Sequence, residues 1–369
     1  MVKTNSNIGG ASALAAYIDG YGYAAPAATT LEDAAGAATT SSIDVVALAI
    51  DNTGYFISCC TYYDYSIYYT INGGFTWKKS TFTDIYGDKV DILTSWTCMT
   101  SNKDNIFLAA STEGHIVISN NFGASWILIN YIKHNITSIS ISLNGQYICV
   151  GTYDATNLFS SDYGVTWIQP KSVETVGGIS CDTLGQNVVL VPKYGYPYIS
   201  IGYAAYNILT NYNSFLNNKK DNTLSLNWRS VVTANYNIIA GGYTGTTEIT
   251  GHIYISNDLG NTWTVTDYPN LYVSCIVSDE SGNNLAATMD EYIDSIFITS
   301  YIYTSTDGGN NWKISFGGAQ YQKIPSITSD ATGKILAFAI NSSIANSGFT
   351  NYFYTSINGG DTWFLKNNP

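Results

Sequence analysis

The chain has 369 residues, more than one ordinary globular core holds, so it calls for two domains or a repeat architecture. Its 15 Lys+Arg against 27 Asp+Glu leave a net charge of −12, and only 11% of residues are charged where ordinary soluble chains carry roughly 25%, yet 45% apolar content rules out wholesale disorder. So acidic a chain, with Arg229 as its single arginine, lacks the electrostatic footprint of a nucleic-acid or anionic-membrane binder.

Residues 1–42 form an Ala/Gly/Thr-rich extension with 12 of the chain's 29 alanines. Lys3 and the weak apolar stretch 11–18 lack a leucine-rich core, so Sec export is not expected. No run of 18 apolar residues suggests a spanning helix, and no membrane insertion is expected. Alone, such an extension buries too little to order itself, but its small side chains suit an added strand at a blade edge.

From residue 43 onward one pattern recurs. It reads Thr70-Ile-Asn-Gly-Gly-Phe-Thr-Trp77, Ser119-Asn-Asn-Phe-Gly-Ala-Ser-Trp126 and Ser160-Ser-Asp-Tyr-Gly-Val-Thr-Trp167. It returns as Ser256-Asn-Asp-Leu-Gly-Asn-Thr-Trp263, Ser305-Thr-Asp-Gly-Gly-Asn-Asn-Trp312 and Ser356-Ile-Asn-Gly-Gly-Asp-Thr-Trp363. A worn copy is expected at Ser225-Leu-Asn-Trp228, which leaves only Trp96 outside the series. The tryptophans are spaced about 48 residues apart on average, a blade-like period. Between them lie tight-turn signals at 51–54, 144–145, 280–283 and 331–334, flanked by β-prone runs. Each unit thus reads as four strands; in the third they fall at 138–143, 146–152, 157–160 and 166–170. Residues 43–369 are therefore predicted to form an all-β, seven-bladed propeller of four-stranded antiparallel blades behind the N-terminal extension.

Ser-x-Asp-x-Gly-x-Thr-Trp resembles the Asp-box, or bacterial neuraminidase repeat. The resemblance implies a structural role for Asp162, Asp258 and Asp307: the Ser and Asp or Asn side chains bond the turn, Gly supplies positive φ and Trp covers the gap between strands. Sialidases of this kind clamp their substrate with three arginines, which a chain holding only Arg229 cannot supply. The repeat is also similar to photosystem II assembly-factor propellers, whose basic patch this chain lacks, and to xyloglucanase-type glycosidases, whose cleft lies between two propellers.

The Trp turns and the first turns of each unit share one face, so the loops joining second to third strands share the other. Those loops carry an acidic and aromatic set: Tyr62, Tyr63, Asp64, Glu113, Tyr153, Asp154, Tyr194, Glu248, Asp290 and Glu291. Tyrosines beside carboxylates suit a glycan or a hard cation such as calcium, or simply a solvated rim. Asp290 and Glu291 are neighbours that point apart in a strand, so no glycosidase pair is nominated. The scattered His115, His134 and His252 suggest neither a triad nor a metal site, and no resident cofactor is expected. Asn135-Ile-Thr137 and Asn341-Ser-Ser343 are acceptor sequons expected by chance in so Asn-rich a chain. The six cysteines, Cys59, Cys60, Cys98, Cys149, Cys181 and Cys275, read as small buried hydrophobes.

In the fourth unit, 203–224 is expected to lengthen the third hairpin, with a polar tip at 217–222. The functional expectation is a non-catalytic propeller that assembles with itself, as a homo-oligomer or polymer, or with a partner. An exterior setting such as a virion, sheath or cell surface suits its weakly charged surface. A glycan-binding or glycan-cleaving propeller is the alternative.

Overall fold

The computed structural model describes residues 44–366, apart from 63, 104–105, 170–174, 196, 201–209, 212–225, 235, 245–249, 267–270 and 344–348. Every regular element among them is a β-strand, and consecutive strands pair into seven sheets arranged as a seven-bladed propeller. The N-terminal extension, 1–42, lies outside the described residues.

Blade one sets the pattern with Val45–Ile50, Ile57–Thr61, Ile67–Thr70 and Lys78–Lys79, each antiparallel to the last. Three blades vary it. Blade two gains a parallel outer strand, Thr81–Thr83, from the linker that follows blade one. Blade three keeps Ile136–Ile141, Ile148–Thr152 and Leu158–Ser160 but reduces its fourth strand to a bridge between Phe159 and Ile168. Blade seven splits its innermost strand into Gln322–Lys323 and Ile327–Ser329.

The core lies between blades rather than within one. Second strands such as Phe107–Ser111 and Val188–Pro192 are buried along their whole length. They are sandwiched on both faces, so they read as unbroken runs of apolar and small residues instead of alternating ones. One cluster shows the arrangement: Leu108 and Ile116 of blade two interlock with Ile139 and Ile148 of blade three. Close approach also sets some residue choices. A Cβ on Gly177 would lie 2.2 Å from the Trp228 carbonyl oxygen of the next blade, so only glycine fits there.

At the hub the innermost strands are stitched by hydroxyls. Ser138 Oγ accepts the Ile179 N–H at 3.1 Å, Ser180 Oγ accepts the Thr233 N–H at 3.1 Å, and Ser230 Oγ accepts the Ile276 N–H at 2.9 Å. Serine thus satisfies backbone donors that a central strand edge would otherwise bury unpaired.

Among the described residues blade seven draws its strands from 322–366, enough to build a complete four-stranded blade. The seam with blade one is closed by side chains. Asn52 Oδ1 accepts the Ala331 N–H at 2.9 Å, and Asn341 Nδ2 donates to Val45 O at 2.9 Å.

Two expectations need correction. Trp228 is not a worn Trp turn; it sits in the innermost strand of blade five, Asn227–Ala234. Its counterpart is Trp96, at the start of the innermost strand of blade two. Both are fully buried, both precede a register shift, and both donate to a loop carbonyl of the preceding blade: Trp96 Nε1 to Tyr65 O at 3.2 Å and Trp228 Nε1 to Gly195 O at 3.0 Å. The second concerns blade four, whose fourth strand, Thr210–Asn211, already pairs with Tyr198 and Ile199. The third hairpin therefore closes by Asn211, and most of the extra length, including the tip at 217–222, falls after it and outside the described residues.

Candidate functional site

The turn face is built by the repeated motif. Ser160 Oγ accepts the Gly164 N–H at 2.8 Å and donates to Asp162 Oδ1 at 2.8 Å. Asp162 Oδ1 also accepts the Thr166 N–H at 2.8 Å, and Trp167 Nε1 donates to Gly164 O at 2.9 Å. Asp258 and Asp307 accept in the same way, and Asn72, Asn121 and Asn358 present an amide oxygen instead. The fourth and fifth motif residues both take positive φ, which explains Gly-Gly in three copies; Phe122, Tyr163 and Leu259 bear the fourth position elsewhere. The tryptophans then cover the preceding blade: Trp77 meets Phe353 of blade seven edge-on at 4.9 Å between ring centres, and Trp363 meets Phe316 of blade six edge-on at 6.4 Å. In this geometry the motif carboxylates are occupied with holding a turn.

A second set on the same face escaped the sequence reading. Asp51, Asn102, Asp182, Asp279 and Asp330 end innermost strands and are buried. Each accepts backbone N–H groups of its own first turn, as Asp51 does from Gly54 at 2.9 Å and Phe56 at 3.2 Å. Their signal was present, since an Asp or Asn stands at or just before several of the recognised turns.

The loop face holds most of the candidate residues. Tyr62 is exposed, and its N–H donates to Asp44 O at 3.0 Å. Asp64 accepts from Thr61 Oγ1 and from Tyr68 OH, the latter at 2.7 Å. Glu113 is exposed beside His115, whose pKa burial pulls down against the opposing charge of Glu113. Tyr153 and Tyr194, 54% and 53% exposed, come together from blades three and four around Lys193, whose Nζ lies 5.5 and 5.8 Å from their ring centres. Asp154 pairs with His134 Nδ1. Burial acts to raise the Asp154 carboxyl, but hydrogen bonds from His134 and Thr152 outweigh it and hold it below the usual range. Tyr63 and Glu248 lie outside the described residues.

Asp290 is not a loop residue. The second strand of blade six runs on to Ile293, with the turn at Asp294 and Ser295, both at positive φ. Asp290 is 0% exposed: Ser300 Oγ donates to it at 2.6 Å, Ser274 Oγ donates at 3.1 Å, and Lys323 Nζ forms an ion pair with it. Glu291 points the other way and accepts from Tyr301 OH at 2.9 Å. Nearby, the Arg229 guanidinium lies over the rings of Tyr243 and Tyr272 at 5.7 and 5.5 Å. Lys323, Arg229 and His134 are partners the sequence reading missed, because each comes from a different strand or linker than the group it serves.

The innermost strands surround a central cavity of about 360 Å³ lined by Ser and Thr residues interleaved with apolar ones. Near the turn face Lys103 Nζ reaches across to Ser329 O. Burial pulls its ammonium down to about 8, against the opposing pull of Asp330 and Glu280. Among the described residues no group of three or more His, Cys, Asp or Glu is placed to hold a metal ion.

No protein-family model matches the chain, and no curated protein matches it. Solved structures do. YCF48 bound to D1 peptide is similar at a TM-score of 0.55 and 12% identity, covering 81% of this chain and 91% of that one. Raptor of Chaetomium thermophilum gives 0.60 at 11% identity over 89% of this chain, and the GH74 xyloglucanase of Xanthomonas campestris gives 0.51 at 12% over 88%. The chain spans only 29% of the Raptor chain and 61% of the xyloglucanase. At these identities the likeness is one of fold.

Proposed function

We propose that this chain is a non-catalytic interaction propeller. It associates with copies of itself through the loop face, where residues 1–42 of one chain lie across the tyrosines of another. The product is an ordered assembly of the filament, coat or sheath kind on an exterior surface.

The observation that carries this reading is the point where the extension joins the propeller. Asp44, the first described residue, accepts the Tyr62 N–H, so the described propeller begins at the loop face beside the exposed tyrosines. Tyrosine suits such a contact because it offers a large apolar ring with a hydroxyl at low entropic cost. The loop-face carboxylates favour the non-catalytic form of the proposal. Glycoside hydrolysis needs an acid and a second carboxylate facing each other across the bond. Here Asp64, Asp154, Asp290 and Glu291 each accept from a neighbouring side chain. The likeness to YCF48, which is bound to a peptide in its structure, is consistent with a propeller that takes an extended segment.

Replacing Tyr62, Tyr153 and Tyr194 together with serine tests it. Exposed positions like these typically change stability by no more than about 0.5 kcal/mol each. The variant should keep its melting temperature while losing self-association in sedimentation velocity. Unchanged association, or a wild-type chain that stays monomeric and instead retains a glycan on an array, would overturn the reading.

A further inference from the structure

Two thiols meet across the seam between blades three and four. Cys149 lies in the second strand of blade three, directly opposite Ser140, and Cys181 ends the innermost strand of blade four. Ser140 Oγ accepts the Cys181 N–H at 3.1 Å and sits 3.4 Å from Cys181 Sγ. The Cys149 and Cys181 side chains thus share one buried cluster between the two blades, each beside Ser140, and interact electrostatically. Both are packed among Phe159, Val176, Ile179 and Leu190, but Cys181 also borders the central cavity.

We propose that Cys149 and Cys181 are a modification site: a small organic disulfide converts them to a disulfide bolt between blades three and four. The Cys181 thiolate attacks the reagent's S–S bond, forming a mixed disulfide and releasing one reagent thiolate. Cys149 gives up its proton and attacks the Cys181 sulfur, expelling the second reagent thiolate. Two protein S–H bonds and one reagent S–S bond are replaced by one protein S–S bond and two reagent S–H bonds. The two electrons end on the reagent, and the two protons reach its thiolates through solvent.

Cys181 reacts first because the cavity gives it access. Contact with Cys181, then burial, push the Cys149 thiol upward, so the closing step quickens as pH rises. The bolt joins two blades whose described outer edges are short: blade three ends in a single bridge at Ile168. Among the described residues blade four has no Trp turn, and its fourth strand is the two-residue Thr210–Asn211. A second cross-blade pair, Cys60 and Cys98, also interacts electrostatically but packs into two different clusters, which makes it an internal control.

The full-length folded chain is incubated with hydroxyethyl disulfide near pH 8.5, about where a free thiol is half ionised, then quenched, alkylated in denaturant and mapped. The proposal expects four alkylated thiols instead of six and a mass about 2 Da lower before alkylation. It also expects a Cys149–Cys181 linked peptide and a melting midpoint higher by about 5 °C. Six free thiols, a persistent mixed disulfide at Cys181, or a bridge mapping to Cys60–Cys98 would each overturn it. C149S should retain an unresolved reagent adduct on Cys181; if that variant does not fold, the wild-type map decides alone.

Discussion

Trp263→Ala lowers the unfolding free energy by about 3–5 kcal/mol, as the loss of a large aromatic from a packed site does. The indole is 5% exposed and packs with Val189, Val191 and Ile199 of blade four and Trp228 of its own blade. Its Nε1 also closes the turn on Gly260 O at 3.0 Å. At that seam it shares a cluster with Trp228 and Tyr254, so its removal leaves a cavity between two blades. Asp258→Ala costs less, about 1–2 kcal/mol, because it removes turn hydrogen bonds and leaves no cavity. Burial works to raise the Asp258 carboxyl, but donors from Thr262, Ser256 and Asn261 outweigh it and hold it below the usual range. A carboxyl depressed in the folded state adds stability that is present above its ordinary pKa of about 4 and lost as pH falls through the folded value. The gap between wild type and Asp258→Ala in urea titrations should therefore narrow below about pH 4. A Trp263→Ala loss below about 1 kcal/mol would contradict the packing role.

Lys323→Ala destabilises blade six by about 3 kcal/mol, because it strands the Asp290 carboxylate with hydroxyl donors alone. This is the low end for a broken buried pair, since the lysine side chain keeps 36% of its surface while that of Asp290 keeps 0%. The lysine also lies 5.1 Å from the Phe297 ring centre, and that contact is lost with it. Adding Asp290→Asn should recover part of the loss, because a neutral amide bonds Ser274 and Ser300 without needing a counter-charge. A loss below about 1 kcal/mol in the single variant would mean the ion pair contributes nothing.

Six of the seven blades were legible because the Ser-x-Asp/Asn-x-Gly-x-Thr-Trp turn needs only its own eight residues, so every hydrogen bond that shapes it is local in sequence. Trp228 was misread for the same reason. It lacks the Gly before it that the turn demands, and its partner, Gly195 O, lies 33 residues away in the preceding blade. The loop face was legible as a list and not as an arrangement. Tyr153 and Tyr194 were found, but their meeting around Lys193 depends on how two blades sit side by side. Asp290 was assigned to a loop because the middle strands of blade six outrun those of blades one to four by several residues. Its lysine arrives from blade seven, 33 positions on. Local turn chemistry is written in the sequence, whereas charge partners are set by blade-to-blade register.

Molar mass by light scattering of the full chain and of a chain beginning at Ile43 tests the central claim most directly. All described strands lie within 45–366, so the shortened chain retains all seven blades. The account predicts that the full chain associates, that the shortened chain is a folded monomer, and that association persists at high salt, since backbone and tyrosine contacts are little screened. Equal masses for the two chains, or a shortened chain that fails to fold, would contradict it.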